Sequence, residues 1–193
     1  MRICVFGASS DRLDESYLLA AEAFGRLLGE GGHTMVFGGG QTGLMGACAR
    51  GAAAAGGETV GVAPRFFAGS GMMDKECSRF VWTDTMAARK TRMEEEAEGF
   101  LVLPGGIGTM EEFFEVLTQR QLGLHGKPIV LLNTNGFFDG LAALLRGMSE
   151  KGFAGQGVPA LARLCDSPEE ALRALTETPA EQARLRGKKE YFC

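Results

Sequence analysis

Phe100-Leu101-Val102-Leu103-Pro104-Gly105-Gly106-Ile107-Gly108-Thr109-Met110-Glu111-Glu112 carries an unbroken apolar run into a glycine-rich turn and then into residues of helical character. An apolar run without polar alternation suits a strand buried on both faces of a parallel sheet, and a turn leading into a helix completes a β-loop-α unit. The same order recurs on both sides of this stretch. Apolar runs at 3–6, 34–37, 59–62, 80–82, 100–103 and 129–132 are expected as strands. Helices are expected near 15–30, 44–55, 86–98, 110–122 and 137–151. A last helix follows Ser167, where Ser167-Pro168-Glu169-Glu170 offers an N-cap, a proline at the first helical position and a capping-box glutamate. The repeated units predict a doubly wound parallel α/β sheet in a single domain over residues 1–178, with a polar C-terminal tail at 179–193. The segment 63–76, with Gly69-Ser70-Gly71 and no clear period, is the longest expected loop and is placed to cover a site.

Composition narrows the function. A chain of 193 residues, 45% of them hydrophobic, can bury enough surface to need no disulfide or metal staple. The five cysteines are odd in number and form no C-x-x-C pair, and the two histidines stand in unrelated contexts, so neither a zinc site nor a disulfide framework is expected. Twenty basic against 24 acidic residues argue against a nucleic-acid partner. The apolar start, Ile3 to Phe6, is too short for a signal segment, and no run approaches the ~20 apolar residues of a membrane span. A cytoplasmic protein without a membrane partner is expected.

Three loops stand where strands of such a sheet hand over to helices, the place where ligands collect. They are Gly7-Ala8-Ser9-Ser10, Gly38-Gly39-Gly40-Gln41-Thr42-Gly43 and Pro104-Gly105-Gly106-Ile107-Gly108-Thr109. The second contains G-x-G-x-x-G, but in the second βα unit and without the acidic residue that a dinucleotide fingerprint places about 20 residues on. Its glycines serve equally for turn geometry and close helix packing. The third loop offers a phosphate the free N–H groups and positive dipole end of the helix it opens, with the Thr109 hydroxyl as a further donor. Glu111 and Glu112 are expected in that helix's first turn, where one carboxylate could handle a developing cation, as in glycosyl chemistry. The structural alternative is a capping box with Thr109 as N-cap and Glu112 as its glutamate. In the preceding helix Met86, Met93 and Ala97 mark an apolar stripe, and Arg89 and Lys90 fall on or beside it. A guanidinium aimed inward needs a partner or an anion; the alternative is snorkelling from the edge of the stripe.

These three elements together, Gly38 to Gly46, Arg89-Lys90 with Met93, and Pro104 to Glu112, resemble the LOG ("Lonely Guy") family, long labelled lysine decarboxylases. The resemblance implies a Rossmann-like homodimer that takes a nucleoside 5′-monophosphate, a cytokinin riboside 5′-monophosphate or AMP, and hydrolyses its N-glycosidic bond without metal or redox cofactor. It implies Arg89 and Glu112 as the catalytic pair and Gly105, Gly106, Gly108 and Thr109 as the phosphate cradle. Lys90, Glu111 and Thr118 are implied as further substrate contacts, beside Ser9, Gly39, Gly40, Gly43, Met45, Ile107 and Met110 of the glycine-rich segments. Many members read Met-His-Glu-Arg-Lys where this chain has Met86-Ala87-Ala88-Arg89-Lys90, and a tyrosine where it has Ile107, so the contacts of that His and Glu are missing. The general acid for the departing base is not visible. Related Rossmann-like proteins carry molybdenum cofactor on similar loops, which makes a non-catalytic carrier the alternative function. Phe113, Phe114, Leu117 and Leu122 are expected to exceed what the sheet-facing side needs and so to bury against a second copy.

Overall fold

The computed structural model describes residues 1–74 and 76–177; the polar tail expected at 179–193 lies outside the described residues. Among the described residues seven strands and six α-helices follow in the order β1 Arg2–Phe6, α1 Glu15–Glu30, β2 Thr34–Phe37, α2 Gly43–Ala54, β3 Glu58–Pro64, β4 Arg79–Thr83, α3 Met86–Glu96, β5 Gly99–Val102, α4 Ile107–Gln121, β6 Ile129–Leu132, α5 Asp139–Glu150, β7 Arg163–Cys165 and α6 Pro168–Thr176. All strand pairs are parallel, in the order β4-β3-β2-β1-β5-β6-β7. The chain thus winds outward from β1 to one edge, returns to β1's other side with β5, and winds to the opposite edge. The result is a single Rossmann-like domain whose strand order reverses between β1 and β5.

Both sheet faces are buried, as the apolar runs require. Ile3, Val5, Met35, Phe37 and Leu101 pack toward α1, α2 and α6, while Cys4, Phe6, Val36, Phe100 and Val102 pack toward α3, α4 and α5. On the first face α1 and α2 lie nearly backbone to backbone. A Cβ on Gly25 would collide with the carbonyl of Cys48, so the glycine is what admits the contact. The α2 N-terminus is held by this packing at the carboxyl edge of the sheet.

Four expectations from the sequence are corrected. A seventh strand, β7, was not anticipated. Helix α4 starts at Ile107, with Gly106 as its N-cap and no side-chain cap bond. Thr109 is therefore the third helical residue and not an N-cap, the capping box does not form, and Glu111 and Glu112 fall in the second turn. Gly108 is tolerated inside the helix because the sheet packing of Phe113 and Val116 outweighs its low propensity. Met86 is 44% exposed, so the expected stripe reduces to Met93 on α3 and Ala97, which caps the helix just beyond Glu96. Phe113 and Leu117 are buried in this chain's own core and leave no surplus for a second copy, whereas Leu122 is exposed. Among the described residues no helix is long and apolar enough to cross a membrane.

Candidate active site

The reversal between β1 and β5 parts two loops at the carboxyl edge, and a cleft of about 360 Å³ opens there. Its wall is formed by Gly7, Ala8, Ser9 and Ser10 after β1, Met45 of α2, Met86 and Arg89 of α3, and Gly106, Gly108, Thr109, Glu111 and Glu112 of the α4 segment. Backbone bonds fix these loops to one another: Ala8 N–H donates to the Pro104 carbonyl at 3.0 Å and Leu44 N–H to the Ala8 carbonyl at 2.8 Å. The Thr42 hydroxyl donates to the Ser9 carbonyl at 2.8 Å, and Gly43 N–H to Asp11 at 2.8 Å.

The α4 N-terminus is the natural anion seat. Its first intrahelical bond runs from Met110 N–H to the Gly106 carbonyl at 3.1 Å, so the N–H groups of Ile107, Gly108 and Thr109 precede the ladder. There is no acidic residue in the first turn to occupy them. Gly105 lets the turn close, since a Cβ there would collide with the Thr109 side chain. Three amides and a helix dipole face the cleft beside Thr109, an arrangement suited to a phosphate.

Behind this seat lies a buried ion pair. Arg89 Nη1 donates to Glu112 Oε1 at 2.6 Å, and both side chains are 11% exposed. Arg89 Nε donates to the Val62 carbonyl at 3.4 Å, and its Nη2 lies over Gly38, where a Cβ would overlap it. Burial raises the Glu112 carboxyl above its ordinary value of 4.5, and the Arg89 guanidinium only partly offsets this. A carboxylate poised closer to neutrality than usual, held on an arginine and open to a cleft, can accept a proton or face a cationic transition state.

The expected site residues divide into four groups. Ser9, Met45, Arg89, Gly106, Gly108, Thr109, Glu111 and Glu112 reach the cleft wall together. Lys90 stands behind it, paired with Glu111 and, at 2.7 Å, with Glu115, and these two carboxylates raise its pKa. Gly39 packs against the Phe80 ring, Gly43 against the backbone of Ala8 and Ser9, and Gly105 under Thr109, so these glycines shape the loops. Gly40 bridges to Met73, Met110 packs on the core, and Ile107 and Thr118 are exposed outside the wall. Sequence reading missed two contributors. Met86 was assigned to the core stripe, and Gly38, visible in the glycine run, gave no sign that it makes room for a side chain 51 positions on. Among the described residues no three of His, Cys, Asp or Glu group to hold a metal ion.

Known proteins resemble this chain over most of its length. The profile of a family described as "Possible lysine decarboxylase" matches residues 45–175. A cytokinin riboside 5′-monophosphate phosphoribohydrolase of Mycobacterium tuberculosis is 40% identical over 172 residues, covering 89% of this chain and 91% of that protein. One from Arabidopsis thaliana is 38% identical over 152 residues, covering 79% and 71%. Among solved structures, a molybdenum cofactor binding protein from Rippkaea orientalis superposes with a TM-score of 0.70 at 20% identity over 91% of this chain and 95% of that one. At that identity the likeness is one of fold.

Proposed function

The chain belongs to the LOG family, and from that premise we propose that it hydrolyses the N-glycosidic bond of a purine riboside 5′-monophosphate, giving free base and ribose 5-phosphate. AMP and its N6-substituted, cytokinin-type forms are the proposed substrates, which makes the enzyme an AMP nucleosidase in the wider sense. The observation that carries the reading is the buried Arg89–Glu112 pair set beside the open amides of α4. A protein that only carries a phosphorylated ligand needs the amides but not a desolvated carboxylate. A phosphate on Gly106 to Thr109 fixes the ribose near Glu112, and binding energy far from the scissile bond is available to the chemical step.

In the proposed reaction the bond from C1′ to the base nitrogen breaks, with its electron pair leaving on the base. The Glu112 carboxylate faces the positive charge that develops on the ribosyl ring. Water then bonds C1′ through oxygen and gives a proton to Glu112, while the base takes up an equivalent proton from solvent. Arg89 keeps the carboxylate oriented and contacts the ribose. The family's older description has less support, because decarboxylation by a pyridoxal-type cofactor needs a reactive lysine. No lysine lines this cleft among the described residues; Lys90 is held by Glu111 and Glu115, and Lys127 by the Glu94 carbonyl at 2.6 Å.

We extend the proposal to a homodimer acting in the cytoplasm without nucleic acid. Its support is Ile107 at one end of α4 and Leu122 and Leu124 at the other, which are 87%, 47% and 67% exposed. Light scattering at micromolar concentration should give twice the chain mass. The reaction itself is tested by incubating the protein with AMP, N6-isopentenyl-AMP and their nucleosides and quantifying released base by chromatography. The nucleotides are expected to be cleaved and the nucleosides to be nearly inert; equal turnover of adenosine and AMP overturns the phosphate seat.

A further inference from the structure

A second cavity, of about 430 Å³, lies under the edge strand β4, away from the cleft. Its walls are Phe67 beyond β3, Gly69, Gly71, Met73, Asp74 and Cys77 of the following loop, and Phe80 and Trp82 of β4. None of its wall residues lines the cleft of the Arg89–Glu112 pair. The volume falls within the range of small-molecule sites, and the lining is of the kind such sites use: apolar surface with one or two fixed polar groups.

The lining restricts what can enter. The Phe80 and Trp82 rings lie 4.4 Å apart at 32°, and Phe67 is joined at the rim by Phe66, whose ring is 4.5 Å away and 64% exposed. Three half-buried rings and the Met73 thioether present π faces and polarisable surface, which suit a flat aromatic body. The polar groups are the Asp74 carboxylate and the Cys77 thiol. Burial, with Asp74 nearby, pushes the thiol up to about 12, so Cys77 is uncharged at neutral pH. Among the described lining residues the charged group is the Asp74 carboxylate, which repels a phosphate and accepts from N–H donors. A neutral occupant that brings N–H donors suits this carboxylate.

We propose that this cavity binds a planar, uncharged nitrogen heterocycle with an exocyclic amine, of the free purine base class, stacked on the Phe67, Phe80 and Trp82 surface with Asp74 accepting from its N–H groups. The site lies on the loop that braces the glycine turn behind Arg89. Asp74 N–H donates to the Gly39 carbonyl at 2.8 Å, Gln41 N–H to the Met72 carbonyl at 3.1 Å, and the Gln41 side-chain amide to the Gly71 carbonyl at 2.7 Å. The proposal rests on the chemistry of this cavity and stands whether or not the cleft hydrolyses nucleotides.

Trp82 is the chain's single tryptophan, so its fluorescence reports on this cavity directly. Purified full-length protein is titrated with adenine, exciting at the red edge of the tryptophan band where adenine does not absorb. A saturable quench is expected. Phe67→Leu, which keeps apolar volume but removes a ring, and Asp74→Asn, which keeps the local turn but removes the charge, should each weaken the midpoint about fivefold to tenfold. Glu112→Gln should leave the midpoint where it is. A quench that never saturates, one indifferent to Phe67→Leu and Asp74→Asn, or one abolished by Glu112→Gln overturns the proposal, the last by placing adenine in the cleft. If Asp74→Asn melts early, Phe67→Leu decides alone.

Discussion

Gly38→Ala tests how the cleft holds its arginine. The backbone at Gly38 is outside the left-handed region, so alanine is conformationally acceptable and any effect comes from its methyl group. That methyl would overlap Arg89 Nη2 and stand 3.3 Å from Cζ, so the guanidinium must withdraw by about 1 Å to regain ordinary contact. Such a withdrawal stretches the 2.6 Å bond to Glu112 beyond the roughly 3.2 Å limit of a good hydrogen bond. Losing a charge-assisted bond costs about 1.5–3 kcal/mol, which corresponds to roughly 10-fold to 150-fold in rate if the bond is needed in the transition state. A 1 Å displacement of a positioning group is independently worth about 10²-fold. Base release from AMP should therefore fall by about two orders of magnitude. Gly147→Ala is the control, because nothing lies within 4 Å of a Cβ there on α5; it should keep activity and gain about 0.5–1 kcal/mol of stability. A Gly38→Ala protein with full turnover would refute the packing of Arg89 against this turn.

The Glu112→Gln enzyme should lose about 10²-fold or more in turnover, while its stability changes by less than about 2 kcal/mol because the amide still accepts from Arg89; full activity would return Glu112 to a structural role. Arg89→Lys keeps the charge but not the fork, and a steep loss of base release there would show that direction matters as well as attraction. Two carboxylates should act oppositely in melting curves taken against pH. Glu112 is raised by burial, so its contribution is fully present below 4.5 and is lost as pH rises through its folded value. Burial also opposes the charge of Glu96, but Arg79, Arg92 and Arg2 outweigh it and lower its folded value; its contribution is present above 4.5 and is lost as pH falls further. Glu96→Gln should flatten the acid side of the melting curve and Glu112→Gln should not. Phe113→Ala should cost about 3–5 kcal/mol in a denaturant titration, equally at low and high protein concentration, because that ring is fully buried in its own chain.

The parallel sheet was legible because strands buried on both faces leave an unmistakable apolar run, and the α1 boundaries at Glu15 and Glu30 match those expected from the sequence. β7 was not legible. It is a three-residue edge strand with Arg163 exposed, too short for any period to show. The start of α4 was misplaced because Thr109 and Glu112 have the spacing of a capping box, and local pattern alone cannot tell that Gly106 caps the helix instead. The cleft residues were readable as motif, but their support was not. Glu96 pairs with Arg92 one turn away on its own helix, but its other partners, Arg2 of β1 and Arg79 of β4 at the amino edge of the sheet, reach it only through the folded topology. Gly38 and Val62 likewise serve Arg89 from positions that no spacing rule connects to it.

The reversal of strand order also governs how the protein emerges during synthesis. Ile3 pairs with Gly99 and Phe6 with Val102, so one side of the central strand waits for its neighbour while the intervening chain is made. At roughly 5–20 residues per second the wait is of the order of several seconds to tens of seconds. Through that interval the nascent chain shows an unpaired apolar edge, and Arg89 has left the ribosome before the carboxylate that will neutralise it. The cleft is assembled only when β5 closes the seam, so a chain stalled before that point carries half of the Arg89–Glu112 ion pair and an aggregation-prone edge, a species suited to capture by a chaperone.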